Sequence, residues 1–170
     1  AFGPVAIAWQ PSARGAVVRR VFLSDAASPA EDKLRRTYPQ AVVAACPDIR
    51  AIGAGIRALL AGASVEFDLD LVDLEACPPF QRSVLRATHG IPRGRVSTYG
   101  LVAAQLDKPG AARAVGNALA DNPFPLLIPC HRVVRGDGAL GGFGGGPFLK
   151  SALLTLEDVV ATIKYLVGLH

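Results

Sequence analysis

The sequence has few of the residues on which several classes of protein depend. Its three cysteines, Cys46, Cys77 and Cys130, are irregularly spaced, and no Cys-x-x-Cys pair occurs. An odd, scattered set argues against a disulfide framework and against a zinc finger, and it favours a reducing compartment. No apolar run approaches the roughly 18 residues of a membrane span, and no basic segment at the start resembles a secretion signal. We therefore expect a cytoplasmic protein with no membrane partner.

The composition and the charge distribution indicate a packed protein with a basic C-terminal part. The chain has 170 residues, 51% hydrophobic and 19% charged, so a wholly disordered chain is excluded. Residues 1–75 carry 8 basic and 9 acidic side chains (net −1), and residues 76–170 carry 10 and 5 (net +5). Most of the basic residues are Arg, which suits phosphate contacts. On charge alone, a solvated surface of modest charge fits equally well.

The first part of the chain reads as mixed α and β. Segments 5–9 and 17–23 predict two strands joined by a turn. Ser28-Pro29 predicts a helix start with Ser28 as N-cap. Apolar residues at helical spacing predict a helix over Pro47–Leu60, and strict alternation predicts a strand over Val65–Leu71.

Cys77-Pro78-Pro79 interrupts these patterns and predicts a domain boundary, which gives domains over 1–76 and 77–170. Beyond it the sequence predicts a helix from Pro79 to about Thr88. Two short helices follow, one from Ser97/Thr98 to Leu106 and one over 111–120, joined by a four-residue turn. This is the pattern of a helix-turn-helix, although many helical corners share it.

The second of these two short helices, over 111–120, has an informative surface. One stripe is apolar, and the opposite face has almost no large side chains, so another backbone could approach it closely. The apolar stripe comprises Ala112, Val115, Ala118 and Leu119, and the opposite face comprises Arg113, Gly116, Asn117 and Ala120.

The densest chemistry lies in the segment around Cys130-His131. A thiol beside an imidazole can be a nucleophile with its base, although chance adjacency explains most such pairs. Here the apolar run Leu126–Ile128 predicts a buried strand ended by Pro129, which would hold Cys130 at the edge of a core. The glycine cluster Gly141–Gly146 follows and indicates backbone that approaches a flat ligand closely.

Between about Phe80 and Glu157 the chain carries a series of short motifs: Phe80-Gln81, Ile91-Pro92-Arg93-Gly94, Tyr99-Gly100, Ala112-Arg113-Ala114-Val115-Gly116, Asn122-Pro123, Ile128-Pro129-Cys130-His131-Arg132-Val133 and Gly141-Gly142-Phe143-Gly144-Gly145-Gly146. In these motifs and their order the chain resembles the O6-alkylguanine-DNA alkyltransferases, also called methylated-DNA–protein-cysteine methyltransferases. That family implies a ribonuclease-H-like α/β N-terminal domain and a mostly α C-terminal domain with a helix-turn-helix.

The resemblance assigns the chemistry to four residues. Cys130 would accept the alkyl group from O6 of guanine, and His131 would act as general base through a bridging water. Glu157 would orient the imidazole, and Asn122 would hold the turn before the cysteine segment. The implied reaction is direct reversal of DNA damage in duplex DNA, irreversible and with one turnover per molecule. It follows base flipping and needs no cofactor.

The same resemblance assigns the contacts with DNA and with the flipped base. Arg113 would fill the place of the extruded nucleotide, and Tyr99 would crowd its phosphate and donate to a ring nitrogen. The carbonyls of Cys130 and Val133 would accept from the exocyclic amine. The remaining DNA-binding positions are Ala112, Gly116 and Asn117, and the pocket loop would contribute Phe143, Gly144 and Gly145.

The sequence also departs from the family pattern. Phe143 stands where the family's loop usually has Tyr, so the pocket keeps a ring and loses a hydroxyl, and Leu85 replaces an aromatic residue. The zinc ligands that some relatives carry have no equivalents, so we expect no metal. The tail over 161–170 predicts a packed amphipathic helix, and we expect a monomer.

Three alternatives remain open at this point. A non-catalytic lesion sensor of the same fold would lack an acceptor, and Cys130 argues against it. A helix-turn-helix transcription factor would need base-reading side chains, of which the 111–120 helix offers only Arg113 and Asn117. A cysteine hydrolase using Cys130, His131 and Glu157 would need an oxyanion hole and would turn over an ester.

Overall fold

The computed structural model describes residues 2–159 and divides them into two compact units. The first unit holds the residues up to Cys77 together with Pro123–Ile128, and the second holds Pro78–Asn122 and the described residues from Pro129 onward. The predicted tail helix over 161–170 lies outside the described residues.

The segment Pro123–Ile128 is where these units differ from the division into 1–76 and 77–170. The Pro123 carbonyl accepts a hydrogen bond from the N–H of Val21 at 2.8 Å, within the first unit. The sequence could not show this, because a boundary drawn at one proline-rich point cannot anticipate a later return of the chain.

The first unit is built on an antiparallel hairpin. Strands β1 (Val5–Ser12) and β2 (Gly15–Leu23) pair in the register Val5↔Leu23 to Ser12↔Gly15. The turn between the strands therefore contains two residues. Gly15, the first residue of β2, has a φ of 117°, a conformation that glycine adopts readily. Helices α1 (Ala30–Thr37) and α2 (Pro47–Leu60) follow, and both contact the hairpin. The predictions of the two strands and of α2 are confirmed.

Three local predictions in the first unit are wrong. Residues Val65–Leu71 form no strand, because Asp68 caps a short 3₁₀ turn over Leu69–Leu71 by accepting from Asp70 N–H. Leu126–Ile128 is buried but turns back, with Leu126 at a φ of 73° and Ile128 N–H bonded to Phe124 O. Helix α1 begins at Ala30 after Pro29, so Ser28 is not its N-cap.

The second unit consists of helices around a very small sheet. Helix α3 (Pro79–His89) packs against α4 (Tyr99–Gln105) and α5 (Ala112–Ala120). Strands β3 (Ser97–Thr98) and β4 (Val133–Val134) pair in parallel. Helix α6 (Gly146–Leu156) is the last described element of the unit in chain order. The three helices α3, α4 and α5 were expected, and their bounds lie within about two residues of the prediction.

The β3–β4 pair determines where the reactive residues lie. Ser97 pairs with Val133 and Thr98 with Val134, so the start of α4 lies beside the chain that follows Cys130. Thr98 caps α4 by accepting from Leu101 N–H at 3.1 Å. Tyr99 and the cysteine segment are thereby brought together within one unit. Across residues 2–159, none of the helices has the length and apolar character that a membrane crossing requires.

Candidate active site

Cys130 begins a short 3₁₀ turn, Cys130–Arg132, that leads into β4. Its side chain is buried, with 5% of the residue exposed. The Asn122 Nδ2 donates to Sγ at 3.1 Å, so Asn122 contacts the thiol itself and not only the turn that the sequence assigned to it. Burial raises the pKa of the Cys130 thiol, and the Asn122 hydrogen bond and the Lys150 charge offset only part of this rise. The resting side chain is therefore a thiol, which needs a base.

His131 and Glu157 form a buried pair beside Cys130 in the sequence. The His131 Nε2 lies 3.0 Å from Glu157 Oε1, and the imidazole has no exposed surface. Burial lowers the pKa of His131, although Glu157 opposes the effect, so the ring is neutral. Because a carboxylate only accepts hydrogen bonds, Nε2 must carry the proton and Nδ1 must hold the lone pair. Nδ1 is buried without a hydrogen-bond partner among the described residues, so it is available as a base.

Arg132 is a part of the site to which the sequence analysis assigned no role. Its Nε donates to Glu157 Oε2 and its Nη2 to Glu157 Oε1, each at 2.9 Å, and its Nη1 donates to the Ile91 carbonyl at 2.6 Å. Burial alone would raise the pKa of Glu157, but the hydrogen bonds and charges of His131 and Arg132 outweigh it and lower this pKa to about 2. Glu157 is therefore a fixed carboxylate.

Lys150 is a second residue that the sequence analysis missed. It is fully buried on α6, and its Nζ donates to Val133 O at 2.6 Å and to Gly142 O at 3.3 Å. Burial lowers its pKa to about 8, so most of the side chain is charged at neutral pH. A signal for it was present, since Lys150 and Glu157 lie on the same helical stripe as the buried Leu153 and Leu154.

Tyr99 lies between Lys150 and the glycine loop. Its Oη is 3.4 Å from Lys150 Nζ, and the ammonium lies 5.7 Å from the ring centroid. A Cβ on Gly141 would come within 2.5 Å of Oη, and Gly141 has a φ of 70°, so only glycine fits there. Burial raises the pKa of Tyr99, which therefore keeps its hydroxyl proton as a donor.

The structure brings some of the predicted pocket residues together and leaves others open. The Phe143 ring lies edge-on to His131, with centroids 6.4 Å apart. Gly144 is exposed with open space around its α carbon, and Gly145 precedes α6. The carbonyls of Val133 and Cys130 already accept from Lys150 and from the Val133 N–H, which leaves each one lone pair.

The α5 residues predicted to bind DNA lie in the same unit as Cys130. Arg113 and Asn117 are exposed, and Ala112 and Gly116 are half-buried. A Cβ on Gly116 would lie 3.8 Å from the Tyr99 ring, an ordinary contact, and its φ is not positive. Nothing in the described chain therefore requires glycine at this helical position.

Among residues 2–159 no three His, Cys, Asp or Glu side chains are grouped as metal ligands. None of the described cysteines, Cys46, Cys77 and Cys130, forms a disulfide.

Comparison with known proteins identifies the kind of domain that carries this site. Residues 79–159 match the family described as 6-O-methylguanine DNA methyltransferase, DNA binding domain. The methylated-DNA–protein-cysteine methyltransferase of Methanothermobacter thermautotrophicus is 49% identical over 104 residues, which cover 61% of this chain and 58% of that protein. The chain thus spans less than two thirds of that relative.

Two mycobacterial proteins match over more of their length. The methylated-DNA–protein-cysteine methyltransferase of Mycobacterium bovis is 42% identical over 127 residues, which cover 73% of this chain and 76% of that protein. The crystal structure of Mycobacterium tuberculosis OGT in complex with DNA is similar with a TM-score of 0.74 and 34% identity, over 92% of this chain and 88% of that one. The chain therefore belongs to the methylated-DNA–protein-cysteine methyltransferase family.

Proposed function

We propose that the protein repairs DNA by direct reversal, transferring an alkyl group from O6 of guanine to Sγ of its own Cys130. The observation that carries this is the buried Cys130 thiol, bonded to Asn122 and followed by a neutral His131 whose Nε2–H is fixed on Glu157. The names of the relatives, which describe methylated-DNA–protein-cysteine methyltransferases, support the same reaction.

The chemistry is a displacement at the alkyl carbon. The thiol proton passes through a water to Nδ1 of His131, and the thiolate attacks the carbon bonded to O6. The S–C bond forms as the C–O6 bond breaks, and the electron pair goes to the guanine ring. The guanine that leaves then takes up one proton, which balances the proton that the thiol lost. A thioether has no further leaving group, so each molecule reacts once.

Stabilisation of the leaving guanine is assigned to Tyr99, and activation of the Cys130 thiol to Lys150. Tyr99 keeps its proton and donates a hydrogen bond to a ring nitrogen, where negative charge develops. The buried Lys150 charge favours the thiolate before the reaction and holds the carbonyls of Val133 and Gly142 in place. The second lone pairs of the Val133 and Cys130 carbonyls accept from the exocyclic amine. Phe143, Gly144 and Gly145 line the open side of this pocket.

Duplex DNA is the proposed partner, and α4 with α5 is the proposed helix-turn-helix. A glycine inside a helix costs about 0.5–1 kcal/mol, and no contact with a described residue explains Gly116. Close approach of a DNA groove to the surface formed by Ala112, Gly116 and Asn117 explains it. The exposed Arg113 is then free to enter the duplex and replace the extruded nucleotide. The crystal structure of the mycobacterial relative in complex with DNA supports this partner.

The first unit is proposed to have the ribonuclease-H-like topology of the family. Its β1–β2 hairpin and the parallel bridge between Val18 and Val72 are consistent with the beginning of such a sheet. We further propose that the protein acts as a monomer in a reducing compartment such as the cytoplasm, because the acceptor thiol must stay free.

Intact mass spectrometry after mixing with duplex DNA that contains O6-methylguanine tests the function. We expect a gain of one methyl group per chain, mapped to Cys130, and the matched Cys130→Ser variant should bind the duplex without gaining mass. No gain, or a methyl group on another residue, would contradict the proposal. Sequence-specific binding of undamaged DNA would favour a transcription factor, and repeated ester turnover would favour a hydrolase.

A further inference from the structure

The hydrogen bonds around Glu157 leave one residue without a part in the proposed reaction. Glu157 receives a hydrogen bond from His131 and two from Arg132, and the residue exposures are only 4%, 0% and 6% respectively. Arg132 contacts neither Sγ nor the pocket loop in any described hydrogen bond. It nevertheless has three of its nitrogens engaged, two on Glu157 and one on the Ile91 carbonyl.

Arg132 and the neutral His131 share the Glu157 carboxylate unequally. Oε2 is bonded to Arg132, and Oε1 is shared by Arg132 Nη2 at 2.9 Å and His131 Nε2 at 3.0 Å. The planar guanidinium binds both oxygens in parallel and so fixes the plane of the carboxylate. With that plane fixed, the lone pair of Oε1 points at the imidazole in one direction. His131 can donate a hydrogen bond to this lone pair only from Nε2–H, which leaves the lone pair of the ring on Nδ1.

Arg132 also affects whether His131 takes up a second proton. An imidazole facing a buried carboxylate alone would favour the imidazolium form, because opposite charges stabilise each other at low dielectric. The other charged groups near the ring are Arg132 and Lys150, and both oppose a proton on His131. Among the described residues, the uncharged ring of Phe143 also lies edge-on to His131, with ring centroids 6.4 Å apart. Removal of Arg132 therefore removes the positive charge that lies closest to the carboxylate.

We propose that Arg132 is a positioning residue that keeps Glu157 ionised and directed at Nε2, so that His131 stays neutral with Nδ1 free to accept the thiol proton. This inference rests on the proposed function, since it describes how the base of that reaction is kept available. An imidazolium has no lone pair at Nδ1 and cannot act as a base.

The first experiment titrates the histidines and needs no alkylated substrate. The imidazole ¹⁵N signals of ¹⁵N-histidine-labelled protein are followed from pH 4 to 9, and His131 is assigned by comparison with His131→Gln. In the unchanged protein His131 should remain in the Nε2–H form well below the usual pKa of a histidine. In Arg132→Met the pKa of His131 should rise, because a neighbouring positive charge is lost.

The control for this titration is Arg135→Ala. Arg135 lies three residues further along the chain, is well exposed, and pairs with Asp137 on the surface. Its removal should leave the His131 titration unchanged. If folded Arg132→Met titrates like the unchanged protein, the proposal is overturned.

The second experiment measures the pH dependence of methyl transfer. In Arg132→Met the acid limb of the rate profile should move to higher pH, so the loss of rate should be large at pH 6 and should shrink as the pH rises. A residue that only supports the fold would lower the rate by the same factor at every pH.

Arg132→Lys keeps the positive charge but loses the bidentate contact with the two oxygens of Glu157. It therefore tests the orientation of the carboxylate separately from the charge. Its rate should fall about tenfold or more while the acid limb stays in place, because one charge-assisted hydrogen bond is lost. A wild-type rate in Arg132→Lys would overturn the proposal even if Arg132→Met failed to fold. Absence of methyl transfer in the unchanged protein would refute the function and leave the titration result standing.

Discussion

Asn122 bonds the Cys130 sulfur at 3.1 Å, although the chain between them, Pro123–Ile128, belongs to the first unit. Asn122 is the second residue after α5, and its backbone N–H donates to the Leu119 carbonyl at 3.2 Å. One residue therefore links the thiol, through its side chain, to the end of the helix that carries Arg113, through its backbone. We therefore expect a change at the sulfur to displace the end of that helix.

Arg113→Ala should impair repair of duplex DNA far more than reaction with free O6-benzylguanine. Arg113 is exposed on α5, whereas Cys130 is buried. Only the duplex substrate requires an extruded base, which costs roughly a few kcal/mol, so the loss on duplex should reach about tenfold or more. Single-turnover rates on both substrates measure it, with the exposed Arg50→Ala of α2 as control. Equal losses on both substrates would make Arg113 a general structural residue.

The sequence predictions were accurate where the pattern of apolar residues within a segment determines its structure, and wrong where a single side-chain hydrogen bond determines it. Helix α2 was predicted within its observed bounds, Pro47–Leu60, because its buried residues follow one helical face. The strand over Val65–Leu71 was wrong because one side chain, Asp68, closes a turn that alternation cannot reveal.

The site shows the same distinction. The motif around Cys130 identified the thiol, the imidazole and Asn122 from neighbouring positions in the sequence. The roles of Arg132 and Lys150 escaped notice because their partners, Ile91, Glu157, Val133 and Gly142, are set by the fold.

Lys150→Met should slow the reaction with free O6-benzylguanine at pH 7 by about tenfold or more. The Lys150 charge lowers the pKa of the Cys130 thiol against the effect of burial, so its loss leaves less thiolate. Because the pKa of Lys150 is about 8, the unchanged protein loses this advantage as the pH rises through 8. The ratio of the two rates should therefore fall at higher pH.

The exposed Lys108→Met serves as the matched control for Lys150→Met, and it should react at the unchanged rate with the free base. A deficit in Lys150→Met that stayed constant from pH 7 to 9.5 would show that the contacts of Lys150, and not its charge, matter.

Glu157 should make the protein sensitive to acid. Its pKa falls from 4.5 to about 2 on folding, so it stabilises the fold fully above pH 4.5 and loses this contribution as the pH falls from 4.5 toward 2. The difference corresponds to about 3 kcal/mol. Urea unfolding of Glu157→Gln should show a lower free energy of unfolding at pH 7 and a smaller further loss between pH 5 and 3.

The comparison for Glu157→Gln is Glu31→Gln, which removes an exposed carboxylate paired with Arg35 on α1. Its stability should follow that of the unchanged protein across the same pH range. If Glu157→Gln lost as much stability between pH 5 and 3 as the unchanged protein, the acid sensitivity would lie elsewhere.

Alkylation of Cys130 should destabilise the protein. Only 5% of Cys130 is exposed, so we expect a methyl group on Sγ to press against the atoms packed around it. Over-packing of a core costs about 1–3 kcal/mol, and for a chain of this size each kcal/mol lowers Tm by about 2–4 °C. A thioether is also a weaker acceptor for Asn122 Nδ2 than the thiol or thiolate. Tm should therefore fall by about 2–12 °C, and a benzyl group should lower it further.

The same added group should weaken DNA binding, because Asn122 transmits the displacement from Sγ to the end of α5. Thermal melts of free, methylated and benzylated protein without DNA, together with affinities for an undamaged duplex, measure both effects. Cys130→Ser treated with the same reagents provides the control, since it has no acceptor and should show no change. If the alkylated forms melted at the same temperature or higher and bound DNA equally well, the sulfur would have room to spare. The connection from Cys130 through Asn122 to α5 would then carry no strain.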